Sequence, residues 1–131
     1  MFKVIIAGSR SFTDYALLKA YADFKLSAIQ DEIEIVSGGA KGADSLGERY
    51  AKEKGYRLRI FPADWQRFGK SAGYKRNAQM AAYAEALLAF WDGKSPGTRH
   101  MIDLARDNGL KIGVKVFILK IHFQGGRQND D

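Results

Sequence analysis

Three short segments carry residue types suited to holding an anion: Gly8-Ser9-Arg10, then Ser37-Gly38-Gly39-Ala40-Lys41-Gly42-Ala43-Asp44, and then Asp92-Gly93-Lys94-Ser95-Pro96-Gly97-Thr98. Each follows an apolar run, residues 2–7, 33–36 and 86–91, of the kind that forms a buried parallel strand. A helical pattern follows each in turn. Strand-to-helix turns of this type expose backbone N–H groups and the positive end of a helix dipole, and both favour phosphate. The chemistry expected of the three turns together is recognition of a phosphorylated ligand.

The side chains around these turns refine that expectation. Lys41 is placed to neutralise a phosphate, and Asp44 to accept from a ribose hydroxyl or to cap the following helix. Arg10 and Arg76 offer guanidinium forks, and Trp65 offers a ring that either stacks on a base or packs. The run Gly38-Gly39-Ala40-Lys41-Gly42 matches neither the Walker loop, which needs Gly-Lys-Ser/Thr at its end, nor the dinucleotide Gly-x-Gly-x-x-Gly fingerprint. Two histidines and no cysteine argue against a metal site, although His100 and Asp103 share a helix face. No cofactor is indicated.

The elements that must position these residues alternate strand and helix. Thr13 or Asp14 caps a helix whose inward positions read as Leu17, Leu18, Tyr21, Phe24, Ala28 and Ile29. The helix after Gly42 turns Leu46, Tyr50 and Ala51 inward and ends at Gly55. Residues 57–61 alternate basic and apolar side chains, as a strand with one wet face does, and Pro62 stops them. A functional loop is expected over 63–73, a helix over 74–84, and a helix beginning near Pro96 and running through Met101, Leu104 and Ala105 to Gly109. Residues 114–119 read as the fifth strand, and the stretch 123–131 as a disordered tail. The expectation is an α/β, Rossmann-like three-layer sandwich over residues 1–122, its five-stranded, mostly parallel sheet in the order 3-2-1-4-5. That order sets the ends of the first and fourth strands side by side, where such sheets bind ligands.

Composition removes other classes. A 131-residue chain with 46% hydrophobic and 27% charged residues suits one globular domain. No apolar run approaches the length of a membrane span, and Met1-Phe2-Lys3-Val4 enters a strand without a signal-peptide layout, so a cytoplasmic protein with no membrane partner is expected. The net charge of +6 admits nucleic acid, but the basic residues are scattered and mixed with acidic ones, which ranks a small nucleotide-derived ligand higher.

The set formed by Gly8-Ser9-Arg10, residues 36–44, Phe61-Pro62-Ala63-Asp64-Trp65, Ala72-Gly73-Tyr74-Lys75-Arg76-Asn77 and residues 91–99 closely resembles the SLOG superfamily, in particular its YspA-related branch. The resemblance implies a Rossmann-like fold that binds nucleotides or derivatives such as ADP-ribose-like molecules, with the glycine turns as pocket floor. It implies a pocket completed by Arg10, Asp64, Trp65, Arg76 and Asn77, and homodimers or higher homo-oligomers of the kind related proteins often form.

Two relatives sharpen the choice. The LOG phosphoribohydrolases carry Pro-Gly-Gly-x-Gly-Thr-x-x-Glu with a catalytic glutamate; here Gly97-Thr98-Arg99-His100 resembles the end of that motif, and Met101 stands in the glutamate position. A thioether neither takes a proton nor stabilises an oxocarbenium ion, so nucleotide N-glycosidase activity requires another carboxylate, with Glu48 and Asp92 as candidates. The DNA-processing A proteins share the Gly-Ser-Arg turn and a turn much like residues 36–44, which keeps single-stranded DNA as a further alternative. The favoured expectation is a sensor or sequestering protein for a nucleotide-derived molecule.

Overall fold

Val4, Ile5, Ile6 and Ala7 are buried one after another because β1 (Phe2–Gly8) is the central strand of the sheet, covered on both faces. The computed structural model describes residues 1–118. Around β1 lie β2 (Ile33–Ser37), β3 (Arg57–Ile60), β4 (Ala86–Trp91) and β5 (Lys111–Val116), in the order 3-2-1-4-5 with every neighbouring pair parallel. This is the Rossmann-like arrangement expected. The edge strand β3 is exposed on most of its side chains, in keeping with its alternating basic residues.

Alternation along each strand divides the core in two. Val4, Ile6, Ile35, Leu88 and Phe90 face α1 (Tyr15–Leu26) and α2 (Ala43–Lys54), where Leu18, Ala22, Tyr50 and Ala51 meet them. Ile5, Ala7, Val36, Leu87 and Ala89 face the opposite layer of α4 (Ala72–Tyr83) and α5 (Pro96–Asp107), through Met80, Ala81, Met101 and Ala105. Each large side chain so buried contributes roughly 1.5–3 kcal/mol. Phe12 adds an anchor that sequence periodicity did not reveal: its ring stacks on Phe90 at 5.1 Å and meets Phe117 edge-on at 4.9 Å, pinning the segment between β1 and α1.

Three expectations are corrected. Helix α1 begins at Tyr15, several residues after the first glycine turn and capped as expected by the Asp14 carboxylate, which accepts from the Leu17 N–H. Its buried stripe is Leu18, Ala22 and Leu26, whereas Phe24 is 74% exposed and Ala28 lies beyond the helix. The segment expected as a loop over 63–73 is largely helical, with α3 (Trp65–Phe68) and a 3-10 turn (Gly69–Ser71) leading into α4 at Ala72, because the Asp64 side chain accepts from the Arg67 N–H and nucleates a turn. Finally, β5 begins at Lys111 rather than 114, since Leu110 N–H bonds Ala105 O and Lys111 N–H bonds Glu85 O, bringing the chain onto β4 immediately after the helix. The far end of the expected fifth strand, Leu119, and the expected tail lie outside the described residues. Among the described residues no helix is long and apolar enough to cross a membrane.

Candidate functional site

The carboxyl ends of β1, β2 and β4 come together at the switch point of the sheet, and two adjoining clefts of about 520 and 480 Å³ open there. They share Arg10, Ala40, Trp65 and Arg76, and so form one continuous groove. The first cleft has Gly8, Ser9 and Asp44 as its floor. One wall is the face of α4 carrying Gly73, Arg76, Asn77 and Met80, at helical spacing; the other is the start of α5, with Gly97, Thr98 and Met101. The second cleft is lined by the Gly38-Gly39-Ala40-Lys41 turn, by Glu48 of α2, and by Ile60, Pro62 and Ala63. Trp65, half exposed, borders both.

Asp44 organises the floor. It is 5% exposed, and its Oδ2 accepts from the Ala40 N–H at 3.3 Å, with the Gly8 N–H also directed at the carboxylate. Burial raises its pKa to about 6, against the pull of those N–H groups and of the neighbouring Arg76 guanidinium. An internal carboxylate thus already engages backbone donors of the first two glycine turns. Further donors there are occupied as well: Ser9 N–H by Phe90 O, Gly39 N–H by the Ser37 hydroxyl, and Ala43 N–H by Ser9 O. These N–H groups, expected to face an external anion, have acceptors within the protein.

The third turn is built differently. Asp92 accepts from the N–H groups of Lys94 and Ser95 and from the Ser95 hydroxyl, and these bonds lower its pKa to about 2. The Ser9 hydroxyl receives the Asp92 N–H at 3.1 Å and lies within hydrogen-bond distance, 3.1 Å, of the Ser95 hydroxyl, so the residue after β1 fixes the entry to α5. With the turn so braced, α5 starts at Pro96 without a side-chain cap. The N–H groups of Gly97 and Thr98 belong to its first turn, have no intrahelical acceptor, and lie in the wall of the first cleft.

Arg76 closes the arrangement from α4. Its Nη1 donates to the Gly38 carbonyl and its Nε to Asn77 Oδ1 at 3.1 Å. Burial lowers its pKa, and the Arg10 charge acts in the same direction. Asn77 in turn directs its Nδ2 toward His100 Nδ1 at 3.4 Å and Gly97 O at 3.5 Å, linking α4 to the start of α5. Tyr74 and His100 stack at 4.1 Å across the same two helices. The groove therefore combines cationic side chains, one uncapped helix start, an exposed indole and apolar wall patches.

Residues 2–68 of the sequence match the YAcAr family, described as the YspA, cpYpsA-related SLOG family. Gene 61 protein of Mycobacterium phage D29 is 37% identical over 119 residues, an alignment that covers 86% of this chain and 94% of the phage protein. The chain belongs to the YspA, cpYpsA-related SLOG family. Among solved structures it is similar to DNA processing protein A from Streptococcus pneumoniae, with TM-score 0.69 and 17% identity over 87% of this chain and 50% of that one. The likeness is one of fold, and this chain spans half the length of that protein. The SLOG family match contains the first two glycine turns and Trp65, while the α4 and α5 walls lie beyond it.

Of the residues singled out from sequence, Gly8, Ser9, Arg10, Ala40, Asp44, Trp65, Arg76, Asn77, Gly97 and Thr98 line the first cleft. Gly38, Gly39 and Lys41 line the second. Ser37, Gly42, Asp64 and Asp92 line neither: Ser37 is buried beneath the turn, Gly42 starts α2, Asp64 caps α3, and Asp92 braces the start of α5. Sequence reading left out Lys70, Tyr74, Met80, Ser95, Pro96 and Met101 from the cleft lining. The spacing Gly73, Arg76, Met80 on one helix and Gly97, Met101 on the next was the available signal.

Proposed function

We propose that the groove binds a nucleotide-derived ligand of the ADP-ribose or NAD kind and that the protein acts as its sensor or sequestering partner. The observation that carries this reading is the uncapped start of α5, which opens into the same cleft as Arg10, Arg76 and the exposed Trp65. A phosphate at Gly97 and Thr98 leaves the guanidinium groups for further anionic oxygens and the indole for a base. ADP-ribose should raise the melting temperature progressively with concentration, by the equivalent of about 2.7 kcal/mol at a hundredfold excess over Kd. No shift with any adenine nucleotide or NAD-related compound at millimolar concentration overturns the proposal.

Binding without cleavage is favoured by Met101, 2% exposed, in the wall of the first cleft where the LOG-type motif has its glutamate. The alternative of N-glycosidic hydrolysis needs a carboxylate reaching the groove: Asp92 is engaged elsewhere, and Glu48 lines the second cleft, not the first where Met101 stands. A nucleic-acid reading, suggested by the name of DNA processing protein A, has one supporting observation: Arg10, Lys41, Lys70 and Arg76 all line the continuous groove. It predicts oligonucleotide affinity that falls steeply with salt and weakens with Lys41→Ala. The favoured reading predicts only weak, nonspecific binding of DNA.

A further inference from the structure

In the second cleft a carboxylate stands among the cationic side chains of Arg10, Lys41 and Arg76. Glu48 reaches it from α2, on the same wall as the Gly38-Gly39-Ala40-Lys41 turn, with Arg10 and Arg76 at the junction to the first cleft. Its orientation is fixed. The Ser37 hydroxyl, fully buried, accepts the Gly39 N–H at 3.1 Å and donates to Glu48 Oε2 at 2.7 Å. That chain of bonds holds one carboxylate oxygen against the turn, while Oε1 has no hydrogen-bond partner among the described residues.

A carboxylate facing an anion site repels phosphate, so its place in such a cleft calls for something that donates hydrogen bonds to it. The other carboxylate near the turn cannot serve. Asp44, which the sequence suggested for a ribose hydroxyl, is buried and directed at the backbone N–H of Ala40 and Gly8. Asp64 and Asp92 are occupied with the N–H groups of the turns they cap. Glu48 is the acidic group that lines this cleft with an oxygen to offer.

We infer that Glu48 is the sugar-reading residue of the groove: it accepts hydrogen bonds from the vicinal hydroxyls of a ribose whose phosphate lies toward Arg10 and Arg76. The inference rests on the proposed nucleotide site and adds its specificity. Ribonucleotide derivatives are selected; 2′-deoxynucleotides are disfavoured because they offer Glu48 the 3′-hydroxyl alone, and DNA because its 3′-oxygen is esterified and offers no donor. Ser37 is the positioning residue that presents Glu48. A hydrogen bond to a charged acceptor corresponds to roughly tenfold or more in affinity.

The experiment is isothermal titration of the intact protein with ADP and with 2′-deoxy-ADP, in the unmodified chain and in Glu48→Gln and Glu48→Ala. The unmodified protein should prefer ADP by roughly tenfold or more. Glu48→Ala should bring the two affinities together by weakening ADP while leaving 2′-deoxy-ADP unchanged or slightly tighter, and Glu48→Gln should retain part of the preference. Ser37→Ala should shrink the preference as well, with melting temperatures checking that each variant is folded. Equal affinities in the unmodified protein, or a preference that survives Glu48→Ala, overturns the inference while leaving the nucleotide site standing. Failure of both nucleotides and of ADP-ribose to bind the unmodified protein overturns the site itself.

Discussion

Arg76 of α4 donates a hydrogen bond through Nη1 to the carbonyl oxygen of Gly38, the first glycine of the turn after β2. One side chain thus ties the opposite helical layer to the glycine turn at the junction of the two clefts. The contact is also steric: a Cβ on Gly38 would lie 2.8 Å from Arg76 Nη1 and 2.8 Å from Asp44 Oδ2. Arg76→Ala removes a charge-assisted bond from a half-buried position and should cost about 1.5–3 kcal/mol in urea unfolding. Ligand affinity should fall by more than that stability loss explains, and Arg76→Lys should restore little, because an ammonium cannot reproduce the two-directional fork to Gly38 and Asn77.

Asp44 sets a pH dependence of unusual sign. Its folded pKa is raised to about 6 from the ordinary 3.8, so between those values the folded protein holds a proton that the unfolded chain has released. The group's stabilising contribution is therefore complete below about pH 4 and is lost as pH rises through about 6, for a total of about 3 kcal/mol at most. Surface carboxylates such as Asp23 and Glu53, whose pKa values are lowered by Tyr50 and Tyr15, act in the opposite direction and partly mask it. The difference in urea midpoint between the unmodified chain and Asp44→Asn isolates the effect: the variant should gain stability relative to the parent between pH 4 and 7. A constant difference across that range contradicts the buried position of this carboxylate.

How far the sequence disclosed this molecule depended on range. Strand β4 was legible residue for residue, because a fully buried parallel strand is a plain apolar run, and Gly55 ends α2 as its local chemistry requires. Strand β5 was misplaced because Gly113 and the alternating lysines break its apolar pattern, and only pairing with β4 reveals the register. The residues of the three turns were legible as neighbours at the carboxyl edge of the sheet, but the partners of their N–H groups were not. Whether the Ala40 N–H faces a ligand or Asp44 is decided by a side chain four positions on, bent back over the turn. Ser37 and Glu48 show the same limit: each was visible, but the bond between them exists only once β2 and α2 are packed.

The buried Met101 gives a direct test of binding without chemistry. In the unmodified protein, chromatography should detect no rapid release of adenine from adenosine monophosphate. Met101→Glu places a carboxylate at a position only 2% exposed, so a lower melting temperature is expected from desolvation, recovered in part as pH falls and the new group is protonated. If the wall geometry persists, slow release of free base should appear, because a carboxylate there can stabilise a developing ribosyl cation while water attacks. Rapid release by the unmodified protein, abolished by Glu48→Gln, instead assigns catalysis to the second cleft and ends the reading as a binder.

Gly42 and Gly97 separate folding from ligand approach. Gly42 has φ +77°, and a Cβ there would stand 2.4 Å from the Ser9 carbonyl oxygen, so Gly42→Ala should destabilise the fold by more than the roughly 1–2 kcal/mol of the backbone conformation alone. Its loss of ligand binding would carry no information about the site. Gly97 meets the opposite conditions: it sits in the first turn of α5, and a Cβ would find nothing within 4 Å. Gly97→Ala should leave the melting temperature unchanged or raise it slightly, since alanine is the better helix residue. The added methyl stands beside the uncapped N–H groups proposed to receive phosphate, so ADP-ribose affinity should drop at least fivefold in titration calorimetry while the circular dichroism spectrum stays that of the parent. Full affinity in Gly97→Ala, and still in the bulkier Gly97→Val, moves the phosphate away from the start of α5 and onto the cationic side chains of the second cleft.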